Sequence, residues 1–320
     1  MNVYLMHYKS GILCMAMEDS VLTDLKIYSG SDEGLRNVYL GRISSIIKNL
    51  DAAFVDIAPG VKAFLSLKNL KNPVKQGQEI AVQLIKPAVK SKDPVCSAEI
   101  RLPAKIKKEV MEKARTRTLY SVLYSAGPEY TMFLKEYVGK DASAVKPDKI
   151  IVEGQDIFEA VDAYLDEKDK ELRELISLYN DEFPLCKVVK AESLIKELTQ
   201  RTVWLKSGAN IVIECTEAMT VVDVNTAKAV NCKEEDYIYN INLEAFDEIK
   251  RQIELRNISG MIIVDFINDS EENGKRLCEH IASKTGENKD LNFIDMTGLG
   301  LIELTRTKKS RPLYDMLKNL

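Results

Sequence analysis

The chain has 320 residues, 45% of them apolar and 29% charged, which fits a soluble globular protein of two or three domains with a sizeable core. No apolar run approaches the roughly 20 residues needed to span a bilayer, and the opening MNVYLMHYKSGILCMAMEDS lacks the features of a secretory leader, so a cytoplasmic location is expected. The net charge of −4 does not advertise nucleic-acid binding, but residues 37–92 carry nine Lys/Arg against three Asp/Glu while residues 151–200 carry six against thirteen. Local field, not total charge, attracts a polyanion.

In chain order, residues 1–30 alternate apolar and polar positions and end in the turn cluster IYSGSDEG, so strands are expected. From Asn37 to about Ser97, short strand-like pieces (NVYLGRISSIIKNL, AAFVDIA, KAFLSLKNL, GQEIAVQLIKPAVKSK) are punctuated by Gly and Pro, which predicts a small barrel. Residues 104–120 read as a basic helix and residues 155–179 as an acidic one. The last 120 residues look α/β. Apolar runs in SGANIVIECTEAMTVVDVNT precede a helical stretch with Leu243, Phe246, Ile249 and Ile253 on one face and Gly260 as its stop. A short buried strand, MIIVDFINDS, follows, then a helix around EENGKRLCEHIASKTG.

Two features narrow the chemistry. The six cysteines are scattered without a Cys-x-x-Cys pair, which argues against a disulfide framework or structural zinc and for reduced, mostly buried thiols. The two histidines, His7 and His280, sit in no metal-ligand pattern, so histidine-based catalysis is not expected. The informative residues are those that interrupt two apolar strands. In MTVVDVNTAKAV, Asp223 and Asn225 occupy one face while Val222 and Val224 occupy the other; in MIIVDFIND, Asp265 ends a second apolar run. A helix between the two segments permits neighbouring parallel strands, with both carboxylates at one end of a sheet. Carboxylates held together there stay ionised cheaply only beside a cation. With oxygen ligands alone that cation is hard, Mg²⁺ or Mn²⁺, and Asn225 is placed to orient one carboxylate. A lone Asp at a strand end is most often a turn or cap residue, and spacing by itself leaves that alternative open.

The stretches LKSGANIVIECTEAMTVVDVNTAKA, NINLEAFDEIKRQIELRNISGMIIVDFIND and GLGLIELTRTKKSRPL, with NVYLGRISSIIKNLDAAFVDIAPGVKAFLSLKNL nearer the start, closely resemble the ribonuclease E/G family. The resemblance implies a Mg²⁺-dependent endoribonuclease that cuts single-stranded RNA to leave 5′-phosphate and 3′-hydroxyl ends, in ribosomal RNA processing or messenger RNA decay. Its metal-holding aspartates fall on Asp223 and Asp265, its supporting asparagine on Asn225, and its RNA-gripping aromatics and lysine on Phe54, Phe64 and Lys92. It also implies an α+β and α/β multidomain fold. Residues 1–35 and 121–200 would form a ribonuclease-H-like domain, 36–97 an inserted OB-fold barrel, 98–120 a shortened sensor remnant and helix, and 201–320 a DNase-I-like catalytic domain.

The chain departs from the family's pattern in three places. CSAEIRLPAKIKKEV passes almost directly from barrel to helix, so the segment that recognises a 5′-monophosphate looks deleted, and the Arg-Thr pairs of ARTRT lie inside the expected helix. The chain ends in SRPLYDMLKNL without zinc-linking cysteines, so any homo-oligomer would lack a zinc link. Gly298 stands where an arginine is common. The rival expectations are a non-catalytic RNA-binding or ribosome-associated factor on the same fold, and a metal-dependent nuclease acting on DNA.

Overall fold

The alternation in the first residues becomes strands β1 (Asn2–Tyr8), β2 (Gly11–Glu18) and β3 (Val21–Ser29). Asp19 and Ser20, both at positive φ, form the two-residue turn between β2 and β3. Two left-handed residues match the twist of a hairpin. The computed structural model describes residues 1–29, 34–68, 70, 72–86, 88, 93–138, 145–226, 236–286, 290–308, 311–318 and 320. It divides into two units, one of Met1–Ile27, Pro147–Gln155 and Leu175–Leu320, the other of Tyr28–Lys146 and Asp156–Glu174.

In the second unit the strand-like pieces close on themselves. Strands β4 (Val38–Ile47), β5 (Ala52–Ala58), β6 (Val61–Ser66), β7 (Glu79–Lys86) and β8 (Val95–Ser97) run in the order β5-β6-β8-β7-β4, and β4 pairs back onto β5. The ten-residue β4 manages this by pairing with β7 through Arg42 and with β5 from Arg42 to Ile47, with an irregularity at Ile43/Ser45. Such a bulge bends a strand and lets a sheet curl. Gly41 is needed at this crossing, since a Cβ there would lie 2.6 Å from Val55 Cγ1 and 2.8 Å from the Asp56 carbonyl oxygen. Ile43, Ala53, Val55, Ala63, Leu65, Val82 and Cys96 fill the interior. Residues 98–103 lead into helix α1 (Ala104–Thr116), whose Val110 packs with Val38, Leu40, Ile100 and Leu123, the last in strand β9 (Val122–Tyr124). The expected basic helix is therefore present, ending four residues earlier.

The acidic stretch is not one helix. Helix α2 is confined to Gln155–Lys168 and α3 to Lys170–Arg173, with the Asp169 side chain accepting from the Leu172 N–H at 3.1 Å. That cap breaks the helix at residue 169. Ile176–Tyr179 is strand β11, which joins β10 (Lys149–Glu153) in the first unit. Ile176 and Tyr179, three apart, mimic a helical face. The resulting sheet runs β11-β10-β1-β2-β3, with β1 parallel to β10 and antiparallel to β2. Helices α4 (Leu185–Val188) and α5 (Ala191–Leu198) contribute Leu185, Ile195 and Leu198 to the core with Met6, Leu13 and Met15.

The remainder of that unit is a sheet of order β12-β13-β14-β15-β17-β16, from β12 (Thr202–Trp204), β13 (Asn210–Cys215), β14 (Met219–Asn225), β15 (Gly260–Asp265), β16 (Leu291–Met296) and β17 (Ile302–Arg306). Helix α6 (Tyr237–Leu255) joins β14 to β15, which pair in parallel. Helix α7 (Glu271–Gly286) follows β15, and α8 (Leu313–Leu317) comes near the end. Val222, Val224, Ile262 and Val264 meet Phe246, Ile249 and Ile253 of α6 and Leu277 and Ile281 of α7 in one core. The expected helix stop at Gly260 is displaced. Helix α6 is capped at Arg256, and Asn257 takes the left-handed turn at φ 50°, its amide donating to the Arg311 carbonyl at 2.7 Å. Gly260 instead opens β15. Among the described residues no helix is long and apolar enough to cross a membrane.

Candidate active site

Strand geometry creates the site. Along β14 the even-numbered residues Thr220, Val222 and Val224 are buried and the odd-numbered Met219, Val221 and Asp223 are exposed, with Asn225 half-buried on the same side. Along β15, Ile262 and Val264 are buried while Asp265, its last residue, is exposed. The parallel register places Met219 beside Met261, Val221 beside Ile263 and Asp223 beside Asp265. Two carboxylates thus lie on adjacent strands, about 4.8 Å apart in backbone terms, at the end of a strip of apolar pairs.

Asn225 Nδ2 donates to Asp223 Oδ2 at 2.8 Å. This fixes one carboxylate and, among the described residues, leaves its other oxygen available. Among the described residues, neither Asp223 nor Asp265 shares an ion pair with a basic side chain, and no group of three or more His, Cys, Asp or Glu is arranged to hold a metal. Two like charges side by side without a protein cation favour a bound one. The donor set, all oxygen, fits a hard divalent ion of the Mg²⁺ kind, which binds through one or two carboxylates and keeps several waters.

The backbone beyond Asp265 is tied to helix α6. The Asn242 side chain, 2% exposed, donates from Nδ2 to the Ile267 carbonyl at 2.9 Å and accepts the Ile267 N–H at Oδ1 at 3.1 Å. A second tie lies further out. Asn273 Nδ2 bonds both Asp236, just before α6, and Asp269, and Arg276 Nη1 reaches both Asp236 oxygens at 3.2 Å. The Arg276 guanidinium also lies 4.2 Å from the centre of the Tyr239 ring. The Asn273 hydrogen bond first, and Arg276 second, hold the Asp236 carboxyl below the usual carboxylate range. Sequence reasoning missed these residues. Asn242 carries a usable signal, because it lies four positions before Phe246 and so interrupts a buried helical stripe much as Asp223 interrupts a strand.

In the barrel, Phe54 of β5 and Phe64 of β6 are direct cross-strand partners, both half-buried. Their strand neighbours Ala53, Val55, Ala63 and Leu65 point into the core, so the two rings share the outer face. Lys92, the third candidate, lies outside the described residues. Gly298 sits in the turn between β16 and β17, and a Cβ there would meet nothing within 4 Å, so the backbone does not demand glycine. The cysteines differ from expectation. The five described are free thiols, but only Cys14 and Cys96 are buried, and Cys215 is exposed where β13 leaves the core. Cys232 lies outside the described residues. His280 packs edge-on against Phe246, an α6–α7 contact.

The sequence profile of the ribonuclease E/G family matches residues 66–309. The chain is similar to ribonuclease G of Escherichia coli (strain K12), 26% identical over an alignment covering 95% of this chain and 79% of that protein. It is similar to ribonuclease G of Haemophilus influenzae at 24% identity, covering 94% of this chain and 78% of that one. It is also similar to ribonuclease E of Escherichia coli (strain K12) at 26% identity, covering 91% of this chain and 35% of the relative.

Proposed function

The chain belongs to the ribonuclease E/G family, and from that premise we propose that it is a Mg²⁺-dependent endoribonuclease acting on single-stranded RNA. The observation that carries this is the register pairing of Asp223 with Asp265. These two carboxylates would hold Mg²⁺, with Mn²⁺ as the alternative hard ion. The ion, when bound, supplies charge neutralisation at the phosphodiester and lowers the pKa of a coordinated water. Asn225 keeps the Asp223 carboxylate in one orientation through its amide. Cleavage of the bond to the 3′ oxygen leaves a 5′-phosphate and a 3′-hydroxyl.

In the barrel, the outward-facing Phe54 and Phe64 would stack on unpaired bases, a sequence-tolerant mode of holding a single strand, with Lys92 beside a phosphate. The closed five-stranded barrel supports an OB-fold assignment. The order β11-β10-β1-β2-β3 supports a ribonuclease-H-like sheet, and the mixed sheet with α6 and α7 supports a DNase-I-like catalytic region. We place the enzyme in the cytoplasm, acting in ribosomal RNA processing or messenger RNA decay.

The test is a 5′-labelled, AU-rich single-stranded RNA incubated with and without Mg²⁺, in monophosphate and triphosphate forms. Cleavage that requires Mg²⁺, and that Asp223→Asn abolishes while RNA binding in EDTA persists, is the expected result. Undiminished cutting by Asp223→Asn would refute the assignment. A competing DNA strand in the same reaction decides the sugar preference.

A further inference from the structure

We propose that Asn242 is the positioning residue of the Asp265 carboxylate. The inference rests on the nuclease site proposed above. Asp265 stands at the very end of its ladder. It pairs with Asp223 on one side, but on the other side the pairing between β15 and β17 stops one residue earlier, at Val264 and Ile302. Strand β15 therefore ends just where the carboxylate must be held still. Two anchors bracket it, Val264 (0% exposed) before and Phe266 (7% exposed) after, both pointing into the core while Asp265 points out.

The next residue is where Asn242 acts. Its side chain gives Ile267 both an acceptor and a donor, at 3.1 and 2.9 Å, the pair of bonds that a neighbouring strand would otherwise supply. Asn242 is itself buried at 2% exposure, on a helix that spans the connection between the two aspartate strands. An amide is the side chain this duty requires. Serine cannot span both groups, aspartate cannot donate to the carbonyl, and leucine would leave the Ile267 N–H and C=O without Asn242 as partner. Asparagine is a mediocre helix former and costly to bury unless satisfied, so packing alone favours an apolar residue here. One end of α6 thereby sets the outward angle of Asp265 relative to Asp223.

The experiment compares wild type with Asn242→Leu, which keeps the branching of the side chain and loses both bonds, and Asn242→Asp, which keeps the acceptor alone. Phe246→Leu serves as a pure packing lesion on the same helix. Binding of Mn²⁺ to the RNA-free protein is followed by electron paramagnetic resonance, beside kcat, KM for RNA and thermal melting. Positioning predicts Mn²⁺ affinity and kcat each lower by about tenfold or more in Asn242→Leu. Asn242→Asp falls between, KM changes less than about twofold, and Phe246→Leu lowers the melting temperature without moving Mn²⁺ affinity. If Asn242→Leu does not fold, Asn242→Asp carries the test alone, and wild-type Mn²⁺ affinity and kcat in that variant overturn the inference. Asp265→Asn separates the two levels. If it binds Mn²⁺ as wild type does, the site itself is wrong. If it loses Mn²⁺ while the Asn242 variants titrate and turn over normally, only the role of Asn242 falls.

Discussion

Phe54 and Phe64 meet across β5 and β6 with ring centroids 6.1 Å apart and planes inclined by 79°. Edge-to-face contact braces one ring against the other and leaves aromatic face toward solvent. If a base stacks there, Phe54→Ala weakens RNA binding by about 1–3 kcal/mol, and so does Phe64→Ala. Because the rings touch, the double variant should lose less than the sum of the two. Fluorescence anisotropy with a short single-stranded RNA measures all three. Unchanged dissociation constants would return both rings to a purely structural role.

Asn225 allows a graded test of the carboxylate site. Removing its amide in Asn225→Ala frees Asp223 Oδ2 from its 2.8 Å partner but leaves both carboxylates in place. Cleavage should fall by about 10–100-fold, the range for lost support of a metal ligand, and recover in part at raised Mg²⁺. Rates measured across a Mg²⁺ series decide it; a curve that overlays wild type assigns the amide no part in metal binding.

Gly298 tests electrostatics with little structural cost. Its position meets nothing within 4 Å, so Gly298→Arg should keep thermal stability within about 0.5 kcal/mol. If the turn borders the RNA path, the added charge tightens binding and steepens the salt dependence by about one unit of slope. Titration at three salt concentrations reads this out. Identical slopes place the turn away from the bound strand.

The contacts of Asp236 predict a local acid transition. Its carboxyl is held below the usual range in the folded protein by Asn273 and Arg276, so the interaction contributes fully above the unfolded value of about 3.9. It is lost as pH falls through the lower folded value. Protection factors for amides at the start of α6, among them Asn240, which bonds the Asp236 carbonyl at 2.9 Å, should drop below about pH 4, ahead of global unfolding. Hydrogen exchange by NMR checks the order of events, and Arg276→Leu should weaken the pH dependence.

How much of this was legible depended on what each residue had to satisfy. Asp223 and Asp265 stand out because each interrupts or ends an apolar run, and the register shows them side by side. Barrel strands were readable from Gly and Pro punctuation. Residues 176–179 were not, because Ile176 and Tyr179 satisfy helical spacing and the capping bond of Asp169 decides the break. The end of α6 was misplaced because Asn257 can take the left-handed turn that glycine usually serves, once Arg306 Nη1 donates to its side-chain oxygen at 3.0 Å. Asn242 left one signal, a polar residue four positions before Phe246, but its partner is a backbone group, which no side-chain pattern reports.

The two aspartates lie on strands separated by the whole of α6, and the second of those strands is flanked by β17, which ends at Arg306. Contacts distant along the chain cost loop-closure entropy that local ones do not, and so form more slowly. The paired carboxylates therefore belong to the folded sheet alone: in an open chain nothing brings Asp223 to Asp265, and only the β14–β15 ladder offsets the entropy of closing the loop between them.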